Sequence, residues 1–77
     1  MNYDSPRTRK LIGFGDRMAR ARGKAGVTQA QLAKMVGKSE AAISNYERGI
    51  MEPGLLTALS IADKLGVCFE WLARGAR

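Results

Sequence analysis

The chain offers little from which to build a reaction. It contains no His and one Cys, Cys68, so neither a Cys–His nucleophile nor the common Cys/His zinc sets can be assembled. The carboxylates do not pair at a spacing useful for acid–base work. The glycines of "GFG" at 13–15 are followed neither by further glycines nor by the Lys-Ser/Thr of a phosphate loop. The expectation is no catalytic residue, no metal ligand set, no cofactor and no enzyme. What remains is recognition chemistry, the hydrogen bonds that side chains on one helix face can offer to another molecule.

Such a face lies in "TQAQLAKMVGKSEAAISNYERG", Thr28 to Gly49. A helical step of 100° per residue groups Ile43, Tyr46 and Glu47 on one side of its second helix. It groups Glu40 or Ala41, Ser44, Asn45 and Arg48 on the other. An amide such as that of Asn45 can meet both N6 and N7 of adenine. Ala41, without polar reach, can pack only against sugar or a thymine methyl. Arg48 and Lys38, at the two ends of this helix, suit phosphates, Arg48 also a guanine, and Ser44 serves either kind of contact. Gln29 opens the preceding helix, where N–H groups point outward and favour a phosphate. Glu40 has two readings. It accepts from cytosine N4 in a groove, or it only stabilises the first turn through the helix dipole.

These side chains are positioned by short helices separated by clear punctuation. Thr28 caps one helix and Gln31, three residues on, returns the bond, with Val27 and Leu32 placed as a hydrophobic staple. Leu32, Ala33 and Val36 form its inward face. Gly37 ends it, Lys38 bridges and Ser39 caps the next, the spacing of a helix-turn-helix, which Gly49 closes. Ahead of it, Ser5 and Pro6 are expected to start a first helix. Leu11, Phe14, Met18, Ala21 and Ala25 make its inner face. After Pro53-Gly54, a fourth helix carries Leu55, Ala58, Leu59, Ala62 and Leu65 inward, with Gly66 as its C-cap residue. "CFEWLARG" gives a short fifth helix in which Phe69 and Leu72 close the core and Trp71 covers it from the side. The expected fold is all-α, five helices in one domain over residues 6–75, with residues 1–5 as a loose arm.

Glu47 faces inward in this scheme, and a buried carboxylate needs a partner. Arg22, four residues after Met18, is the partner expected in a bidentate pair. The alternative is that both snorkel outward without meeting.

The charge is lopsided. The net formal charge is +6, and residues 1–39 hold nine Lys/Arg against two Asp while residues 40–77 hold four against five Asp/Glu. A field of that sign attracts polyanions, nucleic acid first among them. Seventy-seven residues make one small core, with roughly 60% of the extended surface buried and little room for an enclosed cavity. Cys68 cannot form an internal disulfide and is expected to be a small semi-buried residue. No signal peptide or membrane span is legible, so the reading is cytoplasmic, associated with the nucleoid.

The order of these features resembles a known family. "ARARGKAGVTQAQLAKMVGKSEAAISNYERGIMEP" and "LLTALSIADKLGVCFEWLARG" are similar to the lambda-repressor/Cro-like (Cro/C1-type) helix-turn-helix regulators of phages and bacteria, from about Phe14 to Gly75. The marks are Arg22 with Glu47, Thr28-Gln29, Leu32-Ala33, Gly37, Ile43-Ser44, "ERG" at 47–49, Pro53, Leu65-Gly66, and Trp71-Leu72 with Gly75. The resemblance implies a five-helix domain that binds DNA as a dimer, with the second motif helix in the major groove. It implies that Gln29 holds a phosphate, that Glu40, Ala41 and Asn45 read bases, and that Ser39 and Ser44 lie near the backbone. It also places the partner subunit at the last helix, where Phe69, Trp71 and Leu72 concentrate apolar surface. Glu40 and Ala41 are shorter than the residues common at these positions, and Cys68 replaces the usual capping Ser, Thr or Asp.

The function expected is a sequence-specific double-stranded DNA-binding regulator, a prophage or bacterial repressor acting by occupancy of a palindromic operator as a homodimer. No small-molecule effector and no second domain after Arg77 are expected. The rival from another class is an antitoxin-like protein-interaction module that also binds DNA. Its signature would be a contiguous exposed apolar patch, for which the sequence offers Tyr3, Ile50, Met51 and Trp71.

Overall fold

A computed structural model describes residues 13–75 of the chain. They form five helices: α1 (Phe14–Ala25), α2 (Gln29–Val36), α3 (Glu40–Glu47), α4 (Leu55–Leu65) and α5 (Phe69–Arg74). α2 and α3 pack on each other, α1 lies against α3, α4 and α5, and α4 joins α2 to α5. None of these helices is long enough to be stable alone in water, so their persistence depends on the shared core. Met18, Leu32, Ile43, Ile61 and Leu72, one from each helix, are its fully buried side chains.

Two backbone approaches set how tightly the helices meet. A Cβ on Gly15 would overlap the carbonyl oxygens of Tyr46 and Glu47, so only glycine lets α1 come this close to the end of α3. At the other side of α1, Arg17 donates from Nε to the carbonyl of Leu72 at 2.9 Å and from Nη2 to that of Ala73 at 3.0 Å. The last carbonyls of a helix lack partners within it. Arg17 supplies them, and so fastens α5 to α1.

Several sequence expectations meet the structure differently. α1 begins at Phe14 with Gly13 as its N-cap residue. The proposed start at Ser5-Pro6, the inward Leu11, Tyr3 and the arm over 1–5 lie outside the described residues. Ala25, the last residue of α1 just ahead of Gly26, is exposed. The buried face of α4 is Ala58, Ile61, Ala62 and Leu65, whereas Leu55 and Leu59 are 65% and 40% exposed. In "LLTALSIADKL" two apolar stripes satisfy helical spacing. The one containing Ile61 and two small alanines is buried. Cys68 is exposed, since it is the N-cap residue of α5 and its side chain makes no cap bond.

Gly15→Ala is expected to lower stability by about 1–3 kcal/mol, the usual cost of overpacking. Gly23→Ala, on the same helix with nothing within 4 Å of its new methyl, should be neutral or stabilising by up to ~1 kcal/mol. Urea unfolding of the two variants measures both, and equal destabilisation would mean that the α1–α3 approach is not the cause.

Candidate nucleic-acid interface

α2 and α3 are built by their caps. Thr28 Oγ1 accepts from the Gln31 N–H at 3.0 Å, and the Thr28 N–H donates to Gln31 Oε1 at 2.8 Å, closing the expected capping box. Val27, ahead of the cap, packs on the cluster that contains Leu32. Gly37 adopts φ 72° and the Lys38 N–H reaches back to the Ala33 carbonyl at 2.9 Å. That left-handed turn suits glycine, and it swings the chain so that Ser39 Oγ can accept from Ala42 N–H at 3.0 Å and start α3.

α3 is held in place from behind by one arginine. Arg22 donates from Nε to Glu47 Oε2 at 2.7 Å and from Nη2 to Glu47 Oε1 at 3.1 Å, while its Nη1 reaches the Val27 carbonyl at 3.0 Å. The guanidinium thus joins α1, the α1–α2 turn and the end of α3. The hydrogen bond to Glu47 holds the Arg22 pKa above its ordinary value, helped by the carboxylate's charge and opposed by burial, so the group stays charged. The Glu47 side chain keeps 8% of its surface and that of Arg22 21%. Bidentate charge-assisted bonds with this little solvent are stronger than those of a surface pair.

A third partner was missed by sequence reasoning. Gln29 Nε2 donates to Glu47 Oε1 at 2.9 Å. The amide expected on a phosphate from its helix-start position gives one of its two N–H groups to the acid behind α3. The signal for this was available: Glu47 has two oxygens, and one arginine fork leaves acceptor capacity over.

On the outward side, Lys38, Ser39, Glu40, Ala41 and Arg48 are exposed, and Ser44 and Asn45 are half-buried. Ser39 and Arg48 are the N-cap and C-cap residues of α3, so the two lie at opposite ends of the face. Phe69, Trp71 and Leu72 differ among themselves. Phe69 and Trp71 pack half-buried against the core. Leu72 is wholly buried and has no surface to give a partner, which corrects its assignment to an interface. The large exposed apolar side chains are Met35, Ile50, Met51, Leu55, Leu56 and Leu59. Five of these six fall between residues 50 and 59, just after α3. Ile50 and Met51 were expected there. Leu55 and Leu56 were missed, although both occupy the first turn after a Pro-Gly pair.

A family model described as helix-turn-helix matches residues 18–72. The chain belongs to the lambda-repressor/Cro-like helix-turn-helix family. It is 32% identical over 62 residues to the SPbeta prophage-derived HTH-type transcriptional regulator YonR of Bacillus subtilis, covering 80% of this chain and 57% of that one. It is 38% identical over 62 residues to Repressor protein C2 of Salmonella phage P22, covering 80% of this chain and 29% of that one. This family member therefore spans little more than half of the first relative and less than a third of the second. Among solved structures it is similar to the P22 c2 repressor in complex with a synthetic operator. The TM-score there is 0.78 at 36% identity, over 82% of this chain and 96% of that one. The solution structure of the P22 C2 repressor DNA-binding domain gives 0.76 at 37% identity, over 80% and 82%. No helix among the described residues is long and apolar enough to cross a membrane.

Arg22→Ala is expected to cost about 3–5 kcal/mol, because it strands a nearly buried carboxylate. In a double-mutant cycle with Glu47→Gln, measured by chemical denaturation, the coupling should exceed ~1 kcal/mol. Zero coupling would mean that the contact contributes nothing beyond its two separate side chains.

Proposed function

We propose that this protein is a sequence-specific double-stranded DNA-binding transcriptional regulator, a repressor of prophage or bacterial type that acts by occupying its operator. The reading is carried by the outward face of α3. It is exposed at Glu40, Ala41 and Arg48, half-buried at Ser44 and Asn45 and fixed from behind, and it belongs to a domain similar to a repressor solved in complex with operator DNA. A helix of this kind fits the major groove. There Asn45 reads adenine, Ala41 meets a thymine methyl or sugar, and Glu40 selects by what it repels. Lys38, Ser39, Ser44 and Arg48 engage the backbone. At the start of α2, the N–H groups of Gln29 and Ala30 have no acceptor within the helix and offer a phosphate a dipole-assisted seat. Gln29 holds that seat in register.

The working unit is a homodimer on an imperfect palindrome whose half-sites are about one helical turn (~34 Å) apart. Ile50, Met51, Leu55, Leu56 and Leu59, which follow α3 directly, supply its contact rather than Leu72. Such a patch offers a few hundred Å² per chain, short of the roughly 1,200 Å² total of a stable interface. The pair therefore forms mainly where DNA brings two chains together. The same apolar surface also favours a second reading, an antitoxin-like module that binds both a protein and DNA. Chains that stay single on a selected palindrome would favour it over the dimeric repressor.

Two outcomes test the proposal. Selection from a random duplex pool should yield a palindrome bound by two chains. Its affinity should fall roughly 10³–10⁵-fold between 50 and 200 mM salt if the pair makes 6–10 phosphate contacts. A flat salt response without sequence preference would overturn it. On single-base operator variants, Asn45→Ala should flatten preference at one symmetric pair of positions, where the lost contact discriminates by about 1–3 kcal/mol. Gln29→Ala should weaken all variants by a similar factor. If Asn45→Ala also lowers every variant equally, the reading residue is another, with Arg48 next in line.

A further inference from the structure

Away from α2 and α3, an open groove of about 760 Å³ lies between the second half of α1, the end of α4 and the start of α5. Its floor is apolar, formed by Leu65, Val67 and Trp71, with Ala25 and Cys68 also on its lining. Two cations, Arg20 and Lys24, complete it, and among the described residues no acidic one lines it. They stand at i and i+4 on α1, both exposed, and among the described residues neither has an ion-pair partner.

The lining gathers side chains whose burial falls short of their pattern. Ala25 continues the inward spacing of Met18 and Ala21 yet is exposed. Cys68, among apolar neighbours, is exposed too, and the one tryptophan of the chain is only half covered. The groove is of a size that holds ligands, but a small molecule gains affinity where most of its surface is enclosed, and this groove is open along one side. An amphipathic helix needs less, since it lays down one apolar face and leaves the other in water. The two cations, one turn apart with Cβ atoms about 5–6 Å from each other, match acids repeated at the same interval along such a helix. Nucleic acid would satisfy the cations and leave the apolar floor unused.

We propose that this groove docks an amphipathic helix of another protein, one that carries acidic residues a turn apart beside its apolar face. None of the lining residues comes from α2 or α3, so the site stands independently of the operator reading.

The test uses the full chain, free and bound to its selected duplex, with Trp71 emission as the direct reporter. The probes are two synthetic helical peptides with the same leucine face, one flanked by glutamates and one by lysines. The glutamate peptide is expected to bind at least about tenfold more tightly, with or without DNA, and to slow alkylation of Cys68. Arg20→Glu with Lys24→Glu, two exposed changes whose fold is checked by thermal melting, should invert the preference. Equal binding of the two peptides, or a preference unchanged in the double variant, would overturn the proposal. So would a Trp71 response to protein concentration alone, which assigns the groove to a second copy. A double variant that loses operator affinity while keeping the glutamate preference would overturn it as well, assigning the cations to DNA.

Discussion

One guanidinium organises this domain. Arg22 spends three N–H groups on two segments, the nearby turn before α2 and the sequence-distant last residue of α3. Glu47 in turn accepts from Gln29 at the start of α2. The orientation of α3 relative to α1 and α2 is therefore written into a single charged knot. In so small a core, apolar packing alone specifies helix orientation weakly, because many rotations of a short helix bury similar area. A bidentate pair admits few of them. The gain is in geometry more than in stability, as expected of ion pairs removed from water.

The remaining devices hold the other helices to this centre. Gly15 lets α1 touch the backbone of α3, and the two helices meet close to where Glu47 receives Arg22. Arg17, one and a half turns before Arg22 on α1, performs the matching task at α5 by capping its open carbonyls. α1 thus serves as a spine with a basic side chain for each neighbour it must anchor. The basic residues of the first half of the chain thus divide between two jobs. Arg17 and Arg22 act inward, and the other basic residues of α1, Arg20 and Lys24, face solvent.

Much of this was legible in the chain. The capping box, the Gly37 turn, the Ser39 cap and the Arg22–Glu47 pair each depend on residues within a turn of one another or on a single unmet charge, and such constraints are visible in one dimension. What escaped detection was set in three. The apolar stripe of α4 that turns inward depends on which stripe meets α2, and "LLTALSIADKL" carries two. Exposure of Leu55 and Leu59 follows from the same choice. The bond from Gln29 to Glu47 required knowing that the start of α2 and the end of α3 converge. The outward face of α3 could be read from periodicity, but half-burial of Ser44 and Asn45 reflects the loop that folds back beside them.

That loop returns to α3 through its backbone. The Asn45 carbonyl accepts from the N–H groups of Ile50 and Met51 at 3.0 and 3.3 Å, while the side chains of Glu40, Ala41, Ser44, Asn45 and Arg48 make no hydrogen bond to the described residues. Apart from the exposed Ser39 cap, what shapes α3 is therefore assigned to main-chain groups or to side chains on its hidden flank. The side chains of Glu40, Ala41, Ser44, Asn45 and Arg48 hold no part of this frame by hydrogen bonds. They can be exchanged one at a time, with the frame unmoved, and a lineage of such proteins can change what it recognises without passing through unfolded ancestors.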